Sequence, residues 1–120
     1  MKLNHLDLQV SDVPRAATFF EEGFGFHTVS NRRSSAIAIL SDGDGFVLVL
    51  QRKKREADRY PEGFHVGFLV SDADAVRRFH VTAQQSGLDV SAIIENGRGT
   101  LVYCSGPDGI LVEVSCPRAT

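Results

Sequence analysis

The sequence carries almost no excess charge of either sign: thirteen Lys and Arg stand against fifteen Asp and Glu, a formal net charge of −2. That balance removes the electrostatic footprint of a nucleic-acid-binding surface, so no nucleic-acid partner is expected. Long hydrophobic runs are missing too. No stretch approaches the ~18 apolar residues a membrane helix needs. Met1-Lys2-Leu3-Asn4-His5 leads straight into an alternating pattern rather than into the apolar core of a signal peptide. No membrane association and a cytoplasmic location are the expectations. Cysteine is scarce, and Cys104 and Cys116 do not form a CxxC pair, so both are expected to be free thiols in a reducing compartment.

What is present is a globular composition. With 120 residues, 42% of them hydrophobic, the chain can build one domain's core without disulfide staples. Inside it lies a repeat. His5-Leu6-Asp7-Leu8-Gln9-Val10-Ser11-Asp12 runs parallel to His65-Val66-Gly67-Phe68-Leu69-Val70-Ser71-Asp72, with His, Val, Ser and Asp recurring at a step of 60 residues that also carries Phe19 onto Phe79. Near the end of each half, Asp44-Gly45 precedes Phe46-Val47-Leu48-Val49 and Asp108-Gly109 precedes Ile110-Leu111-Val112-Glu113, now at a step of 64. The chain is a duplication whose second half carries four extra residues.

Both halves follow one plan. Leu6, Leu8 and Val10 alternate with His5, Asp7 and Gln9 as in a half-buried strand. Ser11-Asp12 offers a helix N-cap, Pro14 suits the first turn, and Gly23 or Gly25 ends the helix. Strands are expected at Phe26–Ser30, Ser35–Leu40 and Phe46–Gln51, the last two joined by the turn at residues 41–45. The second half repeats this: a strand at Phe64–Val70, a helix at Asp72–Ser86, a strand at Leu88–Ile94, and a hairpin of Thr100–Cys104 with Ile110–Ser115. The fold class is therefore α+β: two tandem βαβββ modules forming cupped mixed sheets, over residues 1–51 and 62–117, with a linker at 52–61. The basic run Arg52-Lys53-Lys54-Arg55 reads as a solvated connector or as an anion-binding lip.

If Leu6, Leu8 and Val10 face the helix, then His5, Asp7 and Gln9 face the cup, and by the repeat so do His65, Gly67 and Leu69. Leu111, Glu113 and Ser115 share one side of the last strand, and Val47, Val49 and Gln51 share the matching side in the first half. Two histidines and one glutamate thus occupy matching faces. Such a donor set suits a divalent Mn, Fe, Ni, Co or Zn ion and would serve Ca or Mg poorly. His27 and His80 match no ligand position.

At these residues the chain resembles the vicinal-oxygen-chelate superfamily, the glyoxalase/bleomycin resistance protein/dioxygenase family, over nearly its whole length. The resemblance implies a single domain across 1–120 and ligand positions at His5, Val49, His65 and Glu113, three of which carry donor chemistry. Glyoxalase I enzymes place a carboxylate where Val49 stands. Extradiol dioxygenases use two His and one Glu for iron, and fosfomycin-modifying thiol transferases share that set with a cleft tyrosine that Tyr103 matches. The implied function is a metalloenzyme acting as lyase, dioxygenase or thiol transferase on a small oxygen-rich substrate, with the metal as Lewis acid.

Asp7 and Gln51 are candidates to move a proton or orient substrate. Tyr103 could donate to an oxyanion and Arg98 could clamp a carboxylate, while Val49 lines the pocket. The competing readings are a rim acid for Asp7, a pocket wall for Tyr103, and plain surface groups for Gln51 and Arg98. The resemblance also implies a homodimer, with modules paired within one chain or exchanged between two. Two alternatives stand beside the enzyme. One is a metal-free drug-sequestering protein of the bleomycin-resistance kind, against which the absence of tryptophan counts. The other is a degenerate regulatory copy of the fold.

Overall fold

The computed structural model describes residues 1–30 and 34–119. The chain divides into two compact units, Met1–Arg59 and Tyr60–Thr120, and each repeats the other's plan.

In the first unit, strand β1 (His5–Val10) is followed by helix α1 (Val13–Phe24) and strands β2 (His27–Thr28), β3 (Ile37–Ser41) and β4 (Val47–Arg52). The sheet order is β1-β4-β3-β2, with β1 parallel to β4 and the other pairs antiparallel. The helix starts where the sequence caps it. Asp12 is the N-cap, its side chain accepting the Arg15 N–H, and Gly25 closes the helix at φ 76° in the left-handed region. Leu8 and Val10 on β1, Ala38 and Leu40 on β3, and Leu48 and Leu50 on β4 are all buried, as are Ala16, Ala17 and Phe20 on α1. One face of the sheet is thereby sealed under the helix. Phe19, Phe24 and Phe26 stack around Phe20 at centroid separations of 5.1–6.2 Å. The opposite face is mixed: His5, Asp7 and Gln9 of β1 and Gln51 of β4 share it with Val47 and Val49 of β4 and Ile37 and Ile39 of β3.

The second unit has strand β5 (His65–Leu69), helix α2 (Ala73–Gln85), strands β6 (Ile94–Asn96) and β7 (Gly99–Ser105), a 3-10 turn at Pro107–Gly109 and strand β8 (Leu111–Pro117). Its sheet order, β5-β8-β7-β6, is the first unit's order over again. Asp72 caps α2 as Asp12 caps α1. Val76 and Ala83 of the helix are buried, together with Val102 and Cys104 of β7 and Val112 and Val114 of β8. Cys104 and Cys116 are both free thiols, and burial, followed by the nearby Asp89 charge, pushes the Cys104 thiol up from its ordinary pKa.

Two expected strands come out differently. The strand expected at Leu88–Ile94 is confined to Ile94–Asn96, preceded by an isolated bridge between Val90 and Cys104. Val90 pairs with Cys104 and Ile94 with Leu101, so this segment takes four steps where β7 takes three, a one-residue bulge. The serine hydroxyl holds it open: Ser91 Oγ accepts the Tyr103 N–H at 3.0 Å in place of a main-chain carbonyl. The strand expected at Phe26–Ser30 is likewise cut to His27–Thr28, and there Ser30 Oγ accepts the Ile39 N–H at 2.8 Å. In both units a serine hydroxyl thus takes a place in the same ladder, at the register positions of Ile39 and Tyr103.

Arg52, Lys54 and Arg55 of the basic run are exposed, and the connector also makes hydrogen bonds within itself. Lys53 Nζ donates to the Glu56 carbonyl at 3.0 Å and the Asp58 carbonyl at 3.4 Å, and Arg59 donates to the same two oxygens at 2.6 and 2.9 Å. Arg55 Nε also lies 3.4 Å from Asp58 Oδ1, so three of its cations make contacts within the segment.

Candidate functional site

Strand register decides which side chains share the face turned away from each helix. In the second sheet, Gly67 of β5, Glu113 of β8 and Tyr103 of β7 stand opposite one another in a single row. His65, two residues before Gly67, lies on the same face. A Cβ at residue 67 would lie in ordinary van der Waals contact with Glu113 Oε2, at 3.6 Å. Its absence leaves room beside the carboxylate. Arg98, from the turn between β6 and β7, closes the group by donating Nη2 to Glu113 Oε1 at 3.2 Å. Of the expected site residues, His65, Tyr103, Arg98 and Glu113 are therefore one cluster.

Glu113 is only 8% exposed. Burial alone would push its carboxyl up. The Tyr103 hydroxyl donating to it, the Arg98 guanidinium and the nearby His65 more than offset this and hold it below the usual carboxylate range. The same contact raises Tyr103, because a phenol that donates to a carboxylate resists losing its proton. At neutral pH the pair is an anionic carboxylate and a neutral donor. The rings of His65 and Tyr103 meet edge-on at 6.1 Å.

The equivalent row in the first sheet is Asp7, Val49 and Ile39. Here the acid has changed strands: it sits on β1 beside an apolar residue of β4, whereas in the second unit it sits on β8 beside glycine. Gln9 donates Nε2 to Asp7 Oδ1 at 3.0 Å and to Gln51 Oε1 at 3.4 Å, linking two of the expected site residues. Gln9 was recognisable as a residue of this face by alternation, but only the register shows it opposite Gln51.

The two first-strand histidines share a further feature. His65 Nδ1 lies 3.0 Å from the Gly63 carbonyl, and His5 Nδ1 lies 2.8 Å from Asn4 Oδ1. A carbonyl can only accept, so the contact at His65 holds the ring proton on Nδ1 and leaves the Nε2 lone pair free, the usual preparation of a metal-binding imidazole. The donor set of an exposed, oriented imidazole beside an ionised, largely buried carboxylate fits a divalent transition metal. Within either unit, among the described residues, no three His, Cys, Asp or Glu side chains are gathered into one metal-holding group. His5 belongs to the first unit, and His65 with Glu113 to the second.

Two βαβββ units of identical strand order, each opening on a histidine, define a class of tandem-module α+β proteins. The family model of the Glyoxalase/Bleomycin resistance protein/Dioxygenase superfamily matches residues 2–114, and the chain belongs to that superfamily. Among solved structures it is similar to that of a possible glyoxalase from Bacillus cereus, at 34% identity and a TM-score of 0.84, covering 97% of this chain and 99% of that one. A lactoylglutathione lyase from Agrobacterium tumefaciens (17% identity, TM-score 0.79, 96% and 92% covered) has the same fold. So does the fosfomycin resistance protein FosX from Mesorhizobium loti (22% identity, TM-score 0.75, 98% and 92% covered). The comparison with curated protein sequences gave no significant match. Among the described residues, no helix is long and apolar enough to cross a membrane.

Proposed function

We propose that the protein is a metal-dependent enzyme of this superfamily, acting on a small oxygen-rich substrate as a lyase, dioxygenase or thiol transferase. His5, His65 and Glu113 would hold a divalent Mn, Fe, Ni, Co or Zn ion. The carrying observation is Glu113: a largely buried carboxylate kept ionised, in one row with Tyr103 and on one face with an imidazole whose Nδ1 is already engaged. Burying a charge is costly unless something is gained from it, and a face built to keep one is a candidate site.

A bound metal would act as a Lewis acid toward charge developing on substrate oxygen. The chain's own residues do the rest. Tyr103, held in its protonated form, donates a hydrogen bond to a substrate oxygen when its hydroxyl turns from Glu113. Asp7, exposed on the first sheet and oriented by Gln9, moves a proton or orients substrate, and Gln51 extends the polar row. Val49 offers neither a donor nor a proton, so it serves as pocket wall. The lactoylglutathione lyase and fosfomycin-resistance neighbours mark the range of chemistries this fold accommodates. The donors are divided between the two units, so a complete site takes one unit of each kind, from a single chain or from the two chains of a homodimer.

One observation favours a second reading. Glu113 is already ion-paired with Arg98 and hydrogen-bonded by Tyr103, so its charge is balanced without a metal, which suits a metal-free drug-binding protein. Metal content decides between the two. Elemental mass spectrometry on untagged protein should find close to one metal per chain in the wild type and none in His65→Ala or Glu113→Ala. A wild type that stays empty after reconstitution with Mn, Fe, Ni, Co and Zn sinks the enzyme reading and leaves the binding protein.

A further inference from the structure

Arg98 is built as an arm on a fixed base. Its own N–H donates to Asn96 Oδ1 at 2.8 Å, and its carbonyl accepts the Arg118 N–H at 2.9 Å, so the turn is tied to the end of β8. Gly99 makes that close approach possible. It sits at φ +133°, and a Cβ there would lie 2.2 Å from the Cys116 carbonyl oxygen. No other residue lets β7 leave the turn so near β8. The backbone at residue 98 is therefore pinned, yet its side chain is 67% exposed, and only its terminal group reaches in, to a carboxylate that is itself 10% exposed.

An arginine in this place is awkward for a metal site. A guanidinium cannot give up its charge and cannot share one carboxylate oxygen with a metal without repulsion. For a metal to take Glu113 Oε1, the guanidinium must move aside. We infer that Arg98 is a displaceable counter-ion: it neutralises Glu113 while the metal is absent, and metal binding releases it to hold an oxyanion of the substrate. The ligand class is then a small carboxylate, phosphate or phosphonate, groups whose paired oxygens match the guanidinium fork. The exposed stem gives the arm freedom to turn outward, and the pinned turn keeps its head within reach of the same face. This rests on the metal-site reading above.

The test uses the intact protein, with metal and anion measured separately. Wild type, Arg98→Ala and Arg98→Lys are titrated with Mn and Zn by calorimetry. Inorganic phosphate and acetate are then titrated into each variant with and without saturating metal. Loss of the competing cation should tighten metal binding in Arg98→Ala by roughly fivefold to tenfold, with Arg98→Lys between the two. Phosphate or acetate should bind wild type more tightly once metal is present and lose that gain in Arg98→Ala; whichever anion shows the larger gain identifies the headgroup. A metal affinity unchanged or weakened in Arg98→Ala overturns the inference and leaves the metal site standing. So does an anion affinity that survives the substitution, or one indifferent to metal. A wild type that binds no metal overturns the enzyme reading itself. Circular dichroism of each variant guards against misfolding, which an exposed side chain makes a small risk.

Discussion

Single residues in the second unit do work that their side chains alone do not announce. Glycines 67, 97 and 99 differ in what they permit. Gly67 leaves space beside Glu113, Gly97 has nothing within 4 Å of a would-be Cβ, and Gly99 stands where a Cβ would collide with the backbone of residues 116–118. The contrast makes a controlled experiment. Gly99→Ala forces a positive φ on an L side chain and drives apart two segments tied by the Arg118–Arg98 hydrogen bond. It should cost about 2–3 kcal/mol in urea denaturation. Gly97→Ala, in the same turn, should stay within about 0.5 kcal/mol of wild type. Equal effects at the two positions would show that the turn yields freely and that Arg98 is not held on a rigid base.

At the scale of elements, the hairpin between β3 and β4 depends on one carboxylate. Asp42 Oδ1 accepts the N–H groups of Asp44 at 2.8 Å and Phe46 at 3.0 Å, an arrangement that spares the turn's backbone from relying on water. These two backbone donors hold its carboxyl below the ordinary value. A depressed folded-state pKa stabilises the fold above the unfolded value, and the contribution is lost as pH falls through the folded value. Asp42→Ala should therefore lower the melting temperature at neutral pH, with the gap to wild type closing in acid. Asp42→Asn, which keeps an acceptor oxygen, should remain the closer to wild type and show less of that pH dependence. A gap that persists unchanged at low pH would mean the aspartate acts through something other than its charged acceptor.

This hairpin was legible in the sequence because its turn chemistry is local. So were the helix starts at Asp12 and Asp72, where a carboxylate precedes an amphipathic run. The interrupted strands were not. Nothing in the alternation of residues 88–94 or 26–30 tells that Ser91 and Ser30 will put hydroxyls in place of carbonyls, since that is decided by the neighbouring strand. The site divides along the same line. Alternation and the repeat found His5, His65, Glu113, Asp7 and Gln51 as residues of one kind of face, and the family resemblance added Tyr103. Only register revealed that Glu113 stands opposite Gly67 and Tyr103, that Asp7 stands opposite Val49, and that Arg98 reaches Glu113 from a turn fifteen residues upstream.

At the scale of the molecule, duplication shares the proposed donors between two units that are alike in fold and unlike in chemistry. The first unit offers His5 with its acid on β1, and the second offers His65 with its acid on β8. Neither unit carries all three proposed donors, so the proposed site needs module pairing, either within one chain or by exchange between the two chains of a homodimer. Complementation tells the two apart directly. His5→Ala and His65→Ala each remove one donor, so neither variant alone should bind metal. Unfolded together and refolded as a mixture, they form mixed dimers in which one site receives both defects and the other receives His5 and His65 intact. If modules are exchanged between chains, about a quarter of all sites should recover, because about half of the dimers are mixed and each restores one site of two. If each site is built within one chain, every chain carries a defect and recovery should be zero. The readout is bound metal after gel filtration, which reports the dimer in the same experiment. A monomer that nonetheless binds metal as wild type would place all three donors in one chain and end the case for exchange.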